Sequence, residues 1–282
     1  MAISLGDNRY GKAETRLVRI DRDPTGHRLT DLTVTTTLSG DLAATHLSGD
    51  NGNVLPTDTQ KNTVYAFARD GVGEVEDFAL RLARHFVDSQ PPIGRARVAI
   101  EQHGWDRLGH HSFRRGGSQR RTVTATYDGT TAWIVSGITD LVVLNSTGSE
   151  FHGYPKDRYT TLPETTDRVL ATSVTARWRH TTEPDWCASY EQAVGDLLGA
   201  FADTHSLSLQ QTLYAMGRRV LEGQPGLAEI RLTLPNRHHL LVDLAPFGLD
   251  NPGEVFVATD RPYGLIEGTV LRDDVPPAEP AW

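Results

Sequence analysis

Alternation of apolar and polar residues dominates the start of the chain. Residues 12–20 and 27–38 are rich in β-branched side chains and are separated by a short polar turn that contains Pro24 and Gly26. This pattern predicts a β-hairpin. Further strands are predicted at about 95–105, 120–127 and 131–137, with a polar loop over 108–119 between the first two.

Apolar residues with helical spacing occur in two pairs of segments. Helices are predicted at 57–69 and 74–89, and again at 185–204 and 208–222. The faces expected to be buried are Val75, Phe78, Ala79, Leu82, Ala83 and Phe86 in the second helix, Tyr190, Val194, Leu197, Leu198 and Phe201 in the third, and Leu209, Leu213, Met216 and Val220 in the fourth.

Strands predicted at 140–146, 167–180, 228–244 and 254–259 complete a second set of elements. Two halves, 1–138 and 139–282, then share the order strand, strand, helix, helix, strand, strand, although no residue-level repeat is visible. This order is typical of an α+β fold in which antiparallel sheets carry helices on one face. Exposed sheet edges need to be covered, which favours an oligomer.

Composition and charge narrow the class of protein. The 282 residues include 38% apolar and 23% charged side chains, as expected for a globular protein with a core. A net charge of −8 argues against nucleic-acid binding, and Cys187 is the single cysteine, so no disulfide within the chain is expected. Neither a signal peptide nor a membrane span is recognisable, so no membrane partner and a cytoplasmic location are the expectation.

Two helix starts combine polar side chains at the spacing of a capping box, Thr57 with Gln60 and Ser208 with Gln211. The free N–H groups of a first helical turn also attract anions. A planar anion with several carbonyl oxygens could be held between two such ends and Arg168. Capping alone explains each start without any ligand.

Polar residues interrupt the apolar face of two predicted strands. Arg168 lies at the start of the apolar face of the strand predicted at 167–180. Asn236 and His238 continue the apolar face of the strand predicted at 228–244. An inward guanidinium is unfavourable unless an anionic or planar group meets it. The alternatives are an arginine that pairs with Glu164 or stays in solvent, and a histidine that is hydrogen-bonded in the core. A metal site has less support, because no zinc-type spacing of Cys or His occurs. The apolar members of the two faces are Leu170, Val174, Ala176 and Trp178, and Ile230, Leu232 and Leu234.

Six segments carry a resemblance to a known family. They are RYGK (9–12), PTDTQKNTVYAFA (56–68), STGSEFHGYPKDRYTTLPETTDRVLAT (146–172), LQQTLYAMG (209–217), LPNRHHLLVDL (234–244) and RPYGLIEGTV (261–270). Over about residues 8–270 the chain resembles urate oxidase (uricase) in its bacterial form. The resemblance implies the tunnelling fold (T-fold) with two ββααββ halves, a homotetramer around a central tunnel, and active sites at subunit interfaces.

The same resemblance implies how the substrate is held. Phe151 would stack on the purine, and Arg168 and Gln210 would grip the edge of its pyrimidine ring. The backbone N–H of Leu209 would meet a urate oxygen or nitrogen. Leu209 stands where the family often has Val, and because the contact is through the backbone this difference should matter little. His152 and Tyr154 stand where many relatives carry Trp and Phe, which could shift the packing behind the stacking ring.

The resemblance also implies a set of residues for proton transfer. Lys12, the Thr57 hydroxyl and His238 correspond to a relay, and Asn236 to the residue that holds dioxygen or water above the ring. Thr57 and Asp58, whose backbone N–H groups would also meet the ligand, would come from the neighbouring chain. To accept a proton, Lys12 would have to act as its neutral amine.

The implied reaction is oxidation of urate by dioxygen to 5-hydroxyisourate and hydrogen peroxide in purine catabolism, with no metal or organic cofactor. Two alternatives remain open on the same fold, since a fold does not set the chemistry. One is a pterin-type enzyme, some members of which use zinc. The other is a purine-binding protein that has kept the clamp and lost turnover.

Overall fold

An eight-stranded antiparallel sheet forms the centre of the molecule in the computed structural model, which describes residues 2–282. The strand order is β1-β2-β3-β4-β5-β6-β7-β10, and β8 and β9 form a separate hairpin. The strands are β1 Tyr10–Asp21, β2 Arg28–Gly40, β3 Ile93–Arg107, β4 Phe113–Tyr127, β5 Ala132–Asn145, β6 Leu170–His180, β7 Leu227–Pro235, β8 His238–Leu241, β9 Phe256–Thr259 and β10 Leu265–Leu271.

The longer helices lie on one face of this sheet. Helix α2 packs beside β1, α3 over β3 and β4, α4 over β5, and α5 over β7 and β10. Within residues 2–282, no helix is long and apolar enough to cross a membrane. The helices are α1 Ala43–Leu47, α2 Thr57–Asp70, α3 Val75–Ser89, α4 Trp186–Asp203 and α5 Leu209–Gly223.

Helical periodicity identified the buried faces well. Every residue predicted for the inner faces of α3 and α5 is buried, because those faces pack on the sheet. In α4 the prediction holds for Leu197 and Phe201, whereas Leu198 is 40% exposed and was assigned wrongly. Two alanines, Ala193 and Ala200, are also buried and complete the inner face of α4.

Two strand boundaries in the middle of the chain differ from the prediction. Strand β4 begins at Phe113, so part of the predicted loop 108–119 belongs to a long β3–β4 hairpin. Residues 131–137 and 140–146 form one strand, β5, instead of two. The register of β5 against β6 shifts between Ile138 and Leu141, and Asp140 has φ 57°, so a bulge lies where the sequence suggested an end. The predicted division into halves at 138/139 remains a prediction, and residue 138 lies inside β5.

The prediction of a single strand over 228–244 is wrong. Strand β7 ends at Pro235, which has no N–H to continue the ladder, and β8 begins at His238 in the separate hairpin. Strand β9, predicted to close the sheet, pairs with β8. The sheet edge is formed by β10, which alternation did not reveal and which pairs with β7.

Candidate active site

A cavity of about 570 Å³ lies between the β5–β6 connection and the start of β8. Phe151, Arg168, Asn236 and His238 all line it. Four of the predicted site residues therefore meet at one place, although two of them precede β6 and two follow β7 in the sequence.

Arg168 is a half-buried cation whose side chain has a single hydrogen-bond partner within residues 2–282. Its Nε donates a hydrogen bond to the Ser149 hydroxyl at 3.2 Å, and its guanidinium carbon lies 5.2 Å from the centroid of the Phe151 ring. Within residues 2–282 it forms no ion pair. The carboxylate proposed as its partner, Glu164, pairs with Lys156 at 3.1 Å instead. Pairing of Arg168 with Glu164 is thus wrong as an explanation. Burial lowers the pKa of Arg168, which is the expected effect of removing a cation from water without neutralising it.

Phe151 is held on a loop that is folded against itself. Its backbone forms a two-way bridge with Thr165, with N–O distances of 2.9 and 3.0 Å. The ring of Tyr154 stacks on the Phe151 ring, with centroids 4.8 Å apart and planes 17° apart. The Tyr154 hydroxyl donates to the carbonyl of Leu162 at 2.6 Å. The substitution noted in the sequence at position 154 therefore lies directly behind the ring expected to stack on a ligand.

Asn236 and His238 reach the cavity from the segment that leaves the main sheet. The N–H of Asn236 donates to the carbonyl of Gly264 at 2.8 Å, and Asn236 forms a bridge with the buried Thr172. Both residues line the cavity, although the single strand on which they were predicted to face inward does not form. The alternation does not continue to Leu240, which is 53% exposed, because the chain has turned into the β8–β9 hairpin.

The start of α5 is attached to the same loop. Ser208 caps the helix by accepting from the N–H of Gln211 at 3.2 Å, as predicted. Ser206, just before the cap, forms a parallel bridge with Ser149. Leu209 is buried and Gln210 is exposed, and neither of them lines the cavity of the single chain.

The start of α2 differs from its predicted capping box. Pro56 is the N-cap and makes no side-chain cap, and Thr57 is the first helical residue. The Gln60 side chain is fully buried, accepts from the Thr36 hydroxyl at 2.7 Å and donates to the Leu55 carbonyl at 3.4 Å, so its oxygen is used by the core and not by the N–H groups of the helix start. Asp58 is exposed and paired with Lys61, whose hydrogen bond lowers the pKa of the Asp58 carboxyl.

Lys12 lies beside this helix start. Its backbone N–H donates to the Thr36 hydroxyl at 3.4 Å, and Thr36 in turn binds Gln60 of α2. A bulge follows Lys12 in β1, and a side chain at Gly11 would come within 1.8 Å of the Thr36 carbonyl. Strand β1 can therefore approach β2 closely here only because residue 11 is glycine. Lys12, Thr57 and Asp58 form a second group of predicted site residues, which we call the β1-edge cluster.

One chain does not bring the two groups together. The β1-edge cluster belongs to the first strand of the sheet, whereas the cavity residues flank β6 and β7, five and six strands away. At about 4.8 Å per strand the separation along the sheet is roughly 25 Å. None of Lys12, Thr57 and Asp58 lines the cavity.

Ser149 is a contact that sequence reasoning missed. It lies in the quoted segment 146–172, two residues before Phe151, but a serine on a loop gives no periodic signal. As for metals, no three side chains of His, Cys, Asp or Glu within residues 2–282 are arranged to hold an ion.

Fold and site together define an α+β protein whose eight-stranded antiparallel sheet carries helices on one face, with a half-buried cation beside an aromatic ring in a cavity. A family model described as Uricase matches residues 8–126 and 134–267. The chain belongs to the uricase family.

Similar proteins agree with this assignment. The Uricase of Arthrobacter globiformis is 54% identical over 283 residues, which covers 99% of this chain and 94% of that protein. The Uricase of Dictyostelium discoideum is 36% identical over 281 residues, covering 95% and 98%. A crystal structure of the Arthrobacter uricase matches with a TM-score of 0.97, covering 100% of this chain and 99% of that chain. The predicted tunnelling fold and the resemblance to bacterial uricase are confirmed.

Proposed function

We propose that this chain is a urate oxidase, which oxidises urate with dioxygen to 5-hydroxyisourate and hydrogen peroxide without a metal or organic cofactor. The supporting observation is the half-buried guanidinium of Arg168, which forms no ion pair within residues 2–282 and lies beside the Phe151 ring in a cavity of about 570 Å³. Such a cation favours an anionic ligand, and the ring favours a flat one. Urate at neutral pH is both.

Substrate binding rests on the cavity residues and the start of α5. Phe151 would stack on the purine, while Arg168 and Gln210 would grip the pyrimidine edge, the guanidinium by its rigid fork and the amide by a donor and an acceptor. The N–H of Leu209 is in the first turn of α5, where backbone donors have no helical partner. It is thus free to bind a urate oxygen.

Proton transfer rests on Lys12, Thr57 and His238. Urate has to lose a further proton before it can reduce dioxygen, and Lys12 as a neutral amine would accept it, with the Thr57 hydroxyl and His238 passing it on. Arg168 and the helix-end N–H groups would stabilise the resulting dianion. Asn236 would hold dioxygen or water above the ring. Two electrons pass from urate to dioxygen, which becomes hydrogen peroxide, and one water supplies the new hydroxyl group.

We further infer that the complete site forms between subunits of a homotetramer. Strands β1 and β10 are both unpaired on one side in the single chain, and the two groups of site residues lie toward these two edges. If β1 of one chain met the β10 side of another, Lys12, Thr57 and Asp58 would face the cavity of the neighbour. The halves 1–138 and 139–282 and a cytoplasmic location belong to the same proposal.

One assay separates this function from its alternatives. Purified protein is mixed with urate and dioxygen in the presence of excess chelator. Loss of urate with matching oxygen uptake and peroxide release is the expected result. Urate binding without turnover would favour a binding protein, and activity that chelator abolishes and zinc restores would favour a metal-dependent enzyme.

A further inference from the structure

We propose that Ser149 is a positioning residue that orients the guanidinium of Arg168 for urate. This inference rests on the proposed role of Arg168 as the purine clamp. The Ser149 hydroxyl is fully buried and is the one hydrogen-bond partner of Arg168 within residues 2–282. It accepts the hydrogen bond from Nε, so the N–H groups of both Nη atoms can donate to a ligand.

The position of this contact on the guanidinium matters. Arginine has a long side chain with many rotamers, and its planar fork binds two acceptors only when it is held in the right plane. A bond to Nε fixes that plane without using the paired donors on the far side. A carboxylate in the same place would neutralise the charge and compete with the substrate, whereas a neutral hydroxyl does neither.

Ser149 is itself fixed to the other parts of the clamp. The N–H of Ser206 donates to the carbonyl of Gly148 at 2.9 Å, and the N–H of Glu150 donates to the carbonyl of Ser206 at 2.7 Å. The hydroxyl of Thr212, in the first turns of α5, donates to the Ser206 hydroxyl at 2.8 Å. Ser149 therefore connects Arg168 to the helix start that carries Gln210, and it lies two residues from Phe151.

The test is a comparison of steady-state kinetics. Ser149→Ala should raise the urate KM roughly tenfold, the scale of one hydrogen bond to a charged group, and change kcat by less than about threefold. Ser149→Thr, which keeps the hydroxyl, should bring KM back toward the wild-type value. Ser149→Cys fills the same space with a weak acceptor and gives the same information if the alanine variant does not fold.

A double-mutant cycle distinguishes positioning from a general loss of structure. Adding Ser149→Ala to Arg168→Ala should leave KM unchanged, because the group to be oriented is gone. Ser189→Ala, which removes another buried serine hydroxyl bonded to Gln224, serves as the control for stability alone.

The outcomes distinguish the positioning role of Ser149 from the proposed clamp role of Arg168. Equal effects of Ser149→Ala with and without Arg168, or an unchanged KM in Ser149→Ala, would overturn the positioning role while leaving the clamp intact. An unchanged KM in Arg168→Ala would instead overturn the clamp, and with it the basis of the inference.

Discussion

The two groups of site residues are built in opposite ways. The β1-edge cluster sits on regular elements, a strand and a helix start, and its carboxylate, Asp58, is paired locally with Lys61. The cavity group, which consists of Phe151, Arg168, Asn236 and His238, sits at or next to connecting segments and leaves Arg168 without an ion pair within the described chain. The first offers an amine but lines no part of the cavity, whereas the second lines the cavity, in which no lysine occurs within residues 2–282. We therefore expect substitutions in the β1-edge cluster to act mainly on turnover and substitutions in the cavity group to act mainly on binding, and kinetics can test this.

The largest effect is expected when the proposed general base, Lys12, is removed. Lys12→Met should lower kcat by roughly a hundredfold or more and leave urate binding largely intact, because a general base is removed and the clamp is not. Stopped-flow or steady-state turnover, together with binding of a urate analogue, measures both quantities.

Lys12→Arg is the matched control for this variant. It keeps a positive charge but cannot serve as a base at neutral pH. Equal loss in both variants supports proton transfer. Near-native turnover in Lys12→Met would remove Lys12 from the mechanism, and activity in Lys12→Arg alone would reduce its role to charge.

Arg168→Ala should act mainly on binding. Two hydrogen bonds from a cation to the purine edge would be lost, so we expect the urate KM to rise roughly thirtyfold with a smaller fall in kcat. Arg158→Ala, in the same β5–β6 connection but fully outside the cavity lining, is the control. An unchanged KM would mean that the unpaired guanidinium has another purpose.

Mixing the two defective chains tests whether the groups meet between subunits. Oligomers assembled by co-expression of Lys12→Met and Arg168→Ala chains contain some interfaces with both residues intact. Roughly a quarter of wild-type activity should return if pairing is random. If each chain instead formed its own site, no mixture would exceed the activity of the two variants measured separately.

A buried polar network lies between the two groups and joins the helix layer to the sheet. Glu76 of α3 is fully buried, pairs with Arg121 of β4 at 2.7 Å, and accepts from the Ser136 hydroxyl of β5 at 2.7 Å. Ser136 also binds Nε2 of His180 in β6 at 3.0 Å, and the His180 ring meets Trp186 of α4 edge-on. Burial, aided by the Arg121 charge, lowers the pKa of His180 from 6.5 to about 4.

This network should make the stability of the chain depend on pH. Below pH 6.5 the unfolded chain takes up a proton at His180 that the folded chain refuses until about pH 4, so the folded state loses stability as pH falls through this window. The loss attributable to His180 is at most about 3 kcal/mol. His180→Phe keeps an aromatic ring against Trp186 and should flatten the profile of unfolding free energy by that amount. Parallel profiles for the two proteins would contradict the assignment.

Much of the fold could be predicted because periodicity reports burial. The β1–β2 hairpin and helices α2 to α5 follow from it within two residues at every boundary. The wrong strand boundaries lie where a bulge or a proline changes the backbone without a matching change in the alternation of apolar and polar residues. The bulge near Asp140 keeps β5 in one strand, and Pro235 ends β7 within a continuing alternation.

The site was predictable only in part, and for different reasons. Arg168 and the pair of Asn236 and His238 stood out because they break an apolar face. Phe151 came from family resemblance alone, since a half-buried aromatic on a loop looks ordinary in sequence. The capping box of Thr57 and Gln60 was predicted wrongly, because the spacing of the two residues cannot show that the Gln60 side chain bonds to Thr36 in the core.

The smallest effect is expected at Tyr154, behind the Phe151 ring. Tyr154→Phe keeps the ring that stacks on Phe151 at 4.8 Å and removes only the hydroxyl bond to the Leu162 carbonyl. A neutral hydrogen bond contributes about 1 kcal/mol, and only part of it should reach the ligand through Phe151, so the urate KM should rise by no more than about threefold. Tyr154→Ala removes the ring as well and should have a clearly larger effect, since Phe151 then loses its support. Equal effects of the two variants would show that the hydroxyl anchor, and not the stacked ring, holds Phe151 in place.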